Sequence, residues 1–119
     1  MLNHTDSELP TSLKHNNAAK AYYGILLENF TRLFGNKAVK EMALDTAKAF
    51  DQIIRNTVMV EDAVMVDWVS KNDIIGKMKI DMEDELIDNL RKKYELDFSY
   101  EDMDIIIDNC VKVAKIWIK

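Results

Sequence analysis

Residues 70–94, SKNDIIGKMKIDMEDELIDNLRKKY, decide the fold class. Apolar side chains recur in this stretch three and four residues apart, which is the spacing of one face of an α-helix. The stripe consists of Ile75, Met78, Met82, Leu86 and Leu90. Ser70 and Asp73 stand at its start as Ser-x-x-Asp, which caps the free amides of a first turn and suits the helix dipole. We therefore predict a capped helix over about 71–94.

The apolar surface of this helix is wider than one stripe. Ile80 and Ile87 fall outside the stripe, so the apolar arc covers roughly 200°, about twice the usual width. A helix of this kind packs on two sides, either within its own domain or against a partner. We expect Ile80 and Ile87 to be buried within the domain.

The same periodicity predicts three further helices. They cover about 16–34, 37–56 and 100–118. Gly35 is expected to end the first, because glycine readily adopts the left-handed conformation that closes helices. Ser99 and Asp102 repeat the Ser-x-x-Asp cap before the last. Residues 57–69 are rich in β-branched side chains, and either a short hairpin or an extended connection fits them. The predicted fold is all-α, with about four helices in a compact bundle.

Composition agrees with a single helical domain. The chain has 119 residues with only one proline and three glycines, and an all-β fold needs many more turn residues. Residues 1–13 are polar and contain the proline, so we interpret them as a flexible tail or the stump of a linker. Residues 14–119 form the predicted domain.

Charge and cysteine usage indicate a cytoplasmic protein that does not enter membranes. The net charge of −5 gives a surface that repels nucleic acid as a whole. The single cysteine, Cys110, cannot form an internal disulfide, and no long apolar segment or signal peptide is present. The only basic run, Arg91-Lys92-Lys93, suits the negative end of the helix dipole. Contact with nucleic acid through this run is the weaker interpretation.

Catalytic motifs are missing from the sequence. The glycines are isolated, so no loop can cradle phosphates, and no Asp or Glu stands two residues before a lysine as nuclease sites require. An acidic face on the third helix could in principle share a divalent ion. It contains Asp81, Asp84, Glu85 and Asp88. Because Lys77 and Lys92 are interleaved with these carboxylates, we interpret the face as solvated. We expect no catalytic, cofactor or metal site in this chain.

The fourth helix has an ordinary apolar stripe and two residues outside it. The stripe is Met103, Ile106, Ile107, Cys110, Ala114 and Trp117. Ile105 and Ile116 lie on the polar side, and we assign them to a partner surface. Trp68 directly precedes the third helix, so we expect it to be a buried structural joint that packs against the first turns of that helix.

Several short motifs together resemble a known family. They are Val66-Asp67-Trp68, Asn72-Asp73-Ile74, Leu96-Asp97-Phe98-Ser99 and Glu101-Asp102-Met103-Asp104. In combination, over about residues 15–118, the chain resembles the C-terminal helical domain of the R subunit of type I restriction–modification enzymes. The residues assigned to the family pattern are Asp67, Trp68, Ser70, Asp73, Ser99 and Asp102.

The resemblance implies a parent protein with activities that this chain lacks. Such R subunits are site-specific deoxyribonucleases that translocate DNA with ATP and Mg²⁺, using nuclease and helicase-type domains upstream. Their C-terminal helices are expected to contact other domains of the R subunit or the methyltransferase M and S subunits, and DNA through the complex. Residues 1–13 would then be an interdomain linker, and Met1 an internal or introduced methionine.

Two other functions remain open from the sequence. The first is a stand-alone small helical adaptor or regulatory protein, whose natural gene would start near Met1 rather than far upstream. The second, weaker one is a metal-dependent helical enzyme that uses the acidic face. A titration with Mn²⁺ or Mg²⁺ that releases no heat would dispose of it.

Overall fold

The computed structural model describes residues 16–35 and 38–118. The elements, in chain order, are α1 (Asn17–Phe34), α2 (Val39–Val58), β1 (Met59–Val60), β2 (Ala63–Val64), a 3-10 turn (Trp68–Ser70), α3 (Asn72–Leu86), a π-helical segment (Ile87–Lys93) and α4 (Tyr100–Trp117). The prediction of four helices in a compact bundle is confirmed. The tail predicted at 1–13 lies outside the described residues.

Local chemistry sets the two ends of α1. The side chain of Asn16 accepts a hydrogen bond from the Ala19 amide at 3.0 Å, which satisfies one of the free donors of the first turn. At the other end Gly35 has a φ of 69° and its amide donates to the Thr31 carbonyl at 2.9 Å. The predicted glycine stop is therefore present.

Helix α2 runs two residues further than the predicted end at 56. It finishes at Val58, whose side chain is fully buried. Thr57 also stays helical, and its hydroxyl donates to the Ile53 carbonyl at 2.7 Å. Burial of Val58 in the core offsets the low helix propensity of these two β-branched residues.

Within the described residues, helices α1 to α4 form a ring around one core. Helix α1 packs against α2 and α4, and α3 packs against the same two neighbours. The largest fully buried side chains are Trp68, Tyr22, Phe30, Phe50, Leu26, Met42, Ile54, Met78, Met82, Leu86, Leu90 and Met103. At one end of the ring, Phe34 of α1 meets Phe98, just before α4, edge to face with the ring centroids 6.2 Å apart.

The connection after α2 is a hairpin rather than an extended segment. Met59 pairs with Val64, and Val60 with Ala63, in antiparallel register. The two turn residues between them, Glu61 and Asp62, have φ values of 50° and 68°. A two-residue hairpin turn of this kind needs positive φ at both positions, which Asn-Gly usually supplies. Because this chain has Glu-Asp at the turn instead of Asn-Gly, the sequence alone did not distinguish a hairpin from an extended connection.

The helical winding changes from α to π where α3 ends. The predicted helix reached residue 94, whereas the α-helical winding stops at Leu86 and a π-helical segment continues to Lys93. This segment holds Asn89, whose side-chain amide donates to the Thr46 hydroxyl of α2 at 2.9 Å. Asn89 and Thr46 are both buried, so this bond fixes the π-helical segment against α2 with a specific polar contact.

The burial predictions for Ile80 and Trp117 are wrong. Ile80, expected inside, is 63% exposed, because α3 meets its neighbours on one side and Ile80 lies on the other. Ile87 is half-buried and packs against the hydrophobic core, so the prediction for this residue holds in part. Trp117, placed on the buried stripe of α4, is 55% exposed, and Ile118 is buried in its place. Trp117 lies beside the start of α1, where the packed part of the bundle ends.

Candidate functional site

Trp68 joins the hairpin connection to the far end of the chain. It is 1% exposed, and its indole Nε1 donates to the Ile118 carbonyl at 2.6 Å. Asp67, immediately before it, has a left-handed φ of 57°. The 3-10 turn that follows is closed by hydrogen bonds from the amides of Ser70 and Lys71 to the carbonyls of Asp67 and Trp68, both at 3.0 Å. Trp68 thus fixes the entry to α3 and the last turn of α4 with one side chain.

The cap predicted at Ser70 is wrong. Lys71 occupies the N-cap position of α3, and its side chain makes no capping hydrogen bond. The 3-10 turn uses Ser70 as its last residue, so its hydroxyl stands one position too early to serve the amides of α3. Asp73 does lie in the first turn, where its carboxylate suits the positive end of the helix.

The matching cap at the start of α4 is present. The Ser99 hydroxyl accepts a hydrogen bond from the Asp102 amide at 3.1 Å and donates to the Asp102 carboxylate at 2.9 Å. The other carboxylate oxygen of Asp102 lies 3.7 Å from Arg32 of α1. Asp102 therefore takes part in the cap of α4 and also forms an ion pair with α1.

Each residue of the basic run has partners inside the domain. Arg91 lies 3.3 Å from the Asp97 carboxylate and stacks over the Tyr100 ring at 5.7 Å. Lys92 pairs with Asp88 at 3.1 Å, one turn back on the same helical segment. Lys93 donates to Asp45 of α2 at 2.9 Å. These contacts use the positive charges to hold the end of the π-helical segment, and the interpretation as a nucleic-acid contact gains no support from them.

Ile105 and Ile116 lie on the outer face of α4. They are 44% and 66% exposed in the domain. Burial within the chain would have refuted their assignment to a partner surface, and the exposure leaves that assignment standing as a prediction. Between them lie the exposed side chains of Asp108 and Lys112. Asp108 forms an ion pair with Lys79 of α3, and its carboxylate oxygen lies 2.9 Å from the Lys79 Nζ.

The acidic face of α3 borders an open groove of about 360 Å³ against α2. Its lining residues are Ile53, Asn56, Thr57, Lys77, Asp81, Asp84, Glu85 and Asp88. Partial burial is the main cause that raises the pKa of Glu85, and the nearby carboxylates of Asp88 and Asp45 raise it further. Lys77 donates to Asp81 at 3.0 Å. Within residues 16–35 and 38–118, no group of three or more His, Cys, Asp or Glu side chains is arranged to hold a metal ion.

Sequence reasoning missed a polar cluster at the start of α1. The Asn16 side chain donates to Asp51 at 2.9 Å and accepts from Arg55 at 3.3 Å, while Arg55 also donates to Asp51 at 2.9 Å. The i,i+4 spacing of Asp51 and Arg55 was visible in the sequence, but their link to Asn16 spans 35 residues. The cluster ties the beginning of α1 to the last turns of α2.

Cys110 is a core residue. It is fully buried, and this burial raises the pKa of its thiol far above the usual range. The reactive thiolate is therefore disfavoured in the folded chain.

Comparisons of this chain with known proteins found no matching family model, curated protein or solved structure. Among the helices that the structure describes, none is long and apolar enough to cross a membrane.

Proposed function

We propose that this chain is a non-catalytic interaction module, and specifically the C-terminal helical domain of the R subunit of a type I restriction–modification enzyme. In this role it joins the motor part of the subunit to the methyltransferase core of M and S subunits. The observation that carries the proposal is the buried joint at Trp68, because the sequence pattern that resembles the family centres on this residue.

The other residues of that pattern give further support through their positions. Asp67 adopts the left-handed conformation that turns the chain into the buried tryptophan. Ser99 and Asp102 cap α4, and Asp102 forms an ion pair with Arg32 of α1. A set of residues that controls how helices are joined has a physical reason to recur together, because each fixes the same bundle geometry. Ser70 contributes no such contact and weakens the pattern at one position.

In this proposal the chemistry belongs to other parts of the complex. The nuclease and ATP-dependent motor functions, with their ATP and Mg²⁺, would reside in upstream domains, and DNA would be contacted through the whole complex. This chain would supply a rigid four-helix body with exposed apolar side chains for contacts with neighbouring domains or subunits.

Binding to the methyltransferase core tests the proposal directly. The purified chain is titrated by calorimetry against the M–S complex encoded beside its gene, with and without DNA, at near-physiological salt. We expect a dissociation constant of about 1 μM or tighter in both conditions. The control is an M–S complex from an unrelated type I system, which should not bind. Absence of binding to the matching core in both conditions would remove the assembly role.

A stand-alone helical adaptor is the second candidate, because the exposed Ile105 and Ile116 suit assembly by a small independent protein equally well. The natural reading frame separates the two functions. A long upstream coding region with a glycine-rich phosphate loop fits the R subunit, whereas a reading frame that starts near Met1 fits the adaptor.

A further inference from the structure

The outer face of α4 is divided by charge. Its acidic side chains all lie in the first half of the helix and its lysines in the second half. The acidic residues are Glu101, Asp104 and Asp108, and the lysines are Lys112 and Lys115. Ile105 lies among the acidic side chains and Ile116 beside the lysines. The helix itself therefore presents acids at one end of this face and lysines at the other, with one exposed isoleucine in each half. The Lys79 ammonium of α3 lies 2.9 Å from Asp108, so this acid already has one partner within its own chain.

Helical geometry places these residues on one surface. With 100° per residue, Ile105, Asp108, Lys112 and Ile116 fall within an arc of about 80°. The buried residues of the helix, including Cys110, point to the opposite side. Ile105 and Ile116 are separated by about 17 Å along the axis. The four side chains thus form a straight exposed stripe along three turns.

We infer that this face binds a second copy of the chain, with the two α4 helices antiparallel about a two-fold axis at the level of Cys110. This arrangement brings Ile105 opposite Ile116 of the second copy. It also brings Asp108 opposite the second copy's Lys112. In each pair the two residues lie within about 1.5 Å of the same height along the helix axis.

The same two-fold axis also brings a third pair of residues together. Asp104 and Lys115 lie on the same flank of the stripe, and the two-fold axis brings Asp104 opposite Lys115 of the second copy, again within about 1.5 Å in height. One axis thus satisfies the apolar pair and both charge pairs at once. The antiparallel orientation also sets the positive end of each helix dipole beside the negative end of the other.

Self-complementarity favours a second copy over a different protein. An interface between identical chains about a two-fold axis requires a patch that matches itself after rotation. A parallel arrangement of the same helices would place Asp108 against Asp108 and Lys112 against Lys112. The contact involves one helix from each chain, so it is small, and we expect a weak dimer with a dissociation constant on the order of 10–100 μM. This inference goes beyond the proposed function and does not depend on it.

Charge exchange at the central pair tests the dimer. Asp108→Lys gives a chain with lysine at both central positions, and Lys112→Glu gives a chain with acids at both. Sedimentation equilibrium of the whole chain is measured from about 5 to about 500 μM, the range that suits a weak interface. We expect the unchanged chain to dimerise and each variant alone to associate about tenfold more weakly. An equimolar mixture of the two variants should regain dimers, because every facing pair is then opposite in charge.

Charge changes on another surface, a second charge exchange on the same face and a check of folding show whether the result is specific to this face. Asp84→Lys and Lys77→Glu make the same charge changes beside the groove between α2 and α3, and should leave association unchanged. Asp104→Lys and Lys115→Glu repeat the experiment on the flanking pair without touching the ion pair between Lys79 and Asp108. Circular dichroism of each variant verifies that the bundle is folded.

Three results would overturn the inference. The first is a chain that stays monomeric up to about 500 μM, well above the expected dissociation constant. The second is a dimer that is insensitive to both charge exchanges or is not regained in the mixture. The third is a face that binds only a different protein and never another copy.

Discussion

Replacement of Trp68 by phenylalanine tests the structural joint with the smallest change in shape. Phenylalanine keeps a flat apolar ring at the buried position but cannot donate the hydrogen bond to the Ile118 carbonyl, which the indole makes at 2.6 Å. We expect the variant to fold, with a lower free energy of unfolding and a loosened last turn of α4.

The expected decrease in the free energy of unfolding of Trp68→Phe is the sum of two losses. A buried carbonyl left without its donor costs about 1–3 kcal/mol. The smaller phenyl ring also leaves a void, which adds about 1 kcal/mol. The total of about 2–4 kcal/mol is a large part of the 5–15 kcal/mol that usually stabilises a domain. Trp68→Ala, which removes the whole ring, should cost about 3–5 kcal/mol and unfold much of the domain.

Urea denaturation followed by circular dichroism measures the loss, and the chain contains its own control. Trp117 is 55% exposed, so Trp117→Phe should shift the midpoint very little. The two variants also leave a single tryptophan each, so fluorescence emission should be blue-shifted when only Trp68 remains and red-shifted when only Trp117 remains. Equal midpoints for the two variants would refute the assignment of Trp68 as the joint.

Three further predictions test other parts of the bundle. Thr46→Val removes the acceptor of the buried Asn89 amide and should destabilise the chain by about 1–3 kcal/mol; a thermal denaturation unchanged by the substitution would show that this bond has no importance. Ser99→Ala removes a helix cap and should cost about 1 kcal/mol, whereas Ser70→Ala should cost almost nothing, and equal effects in urea would contradict the capping assignment. The raised pKa of Cys110 means that the unfolded chain releases a proton that the folded chain keeps, so stability should fall by about 1.4 kcal/mol per pH unit above about pH 8.5. Titration of stability between about pH 7 and 10 should show a flatter slope for Cys110→Ala, and identical slopes would remove this role for the thiol.

The sequence predicted what depends on periodicity and local chemistry. The apolar stripe of α3 identified side chains that are buried, among them Met78, Met82 and Leu86. The glycine at 35 and the serine at 99 marked helix ends correctly, because each acts on amides or carbonyls within one turn. Such signals need no knowledge of the rest of the fold.

The features that the sequence did not predict depend on distant contacts. The bond from Trp68 to Ile118 joins residues 50 positions apart, and the contact of Asn89 with Thr46 joins residues 43 apart. The π-helical winding that accompanies Asn89 has no clear local signal. Ser70 shows the opposite failure. Its sequence pattern is typical of a helix cap, but the serine is the last residue of the 3-10 turn and lies one position too early to cap α3.

Exposure alone does not identify an interaction surface on this domain. Ile80 is 63% exposed, yet single exposed isoleucines are common on protein surfaces and need no partner. Ile105 and Ile116 differ because they share one face with acids and lysines that match each other under a two-fold rotation. An arrangement that satisfies three pairs with one axis is more demanding than an apolar residue at an arbitrary position. The pattern of charges, more than the isoleucines themselves, therefore makes α4 the surface where assembly is best tested first.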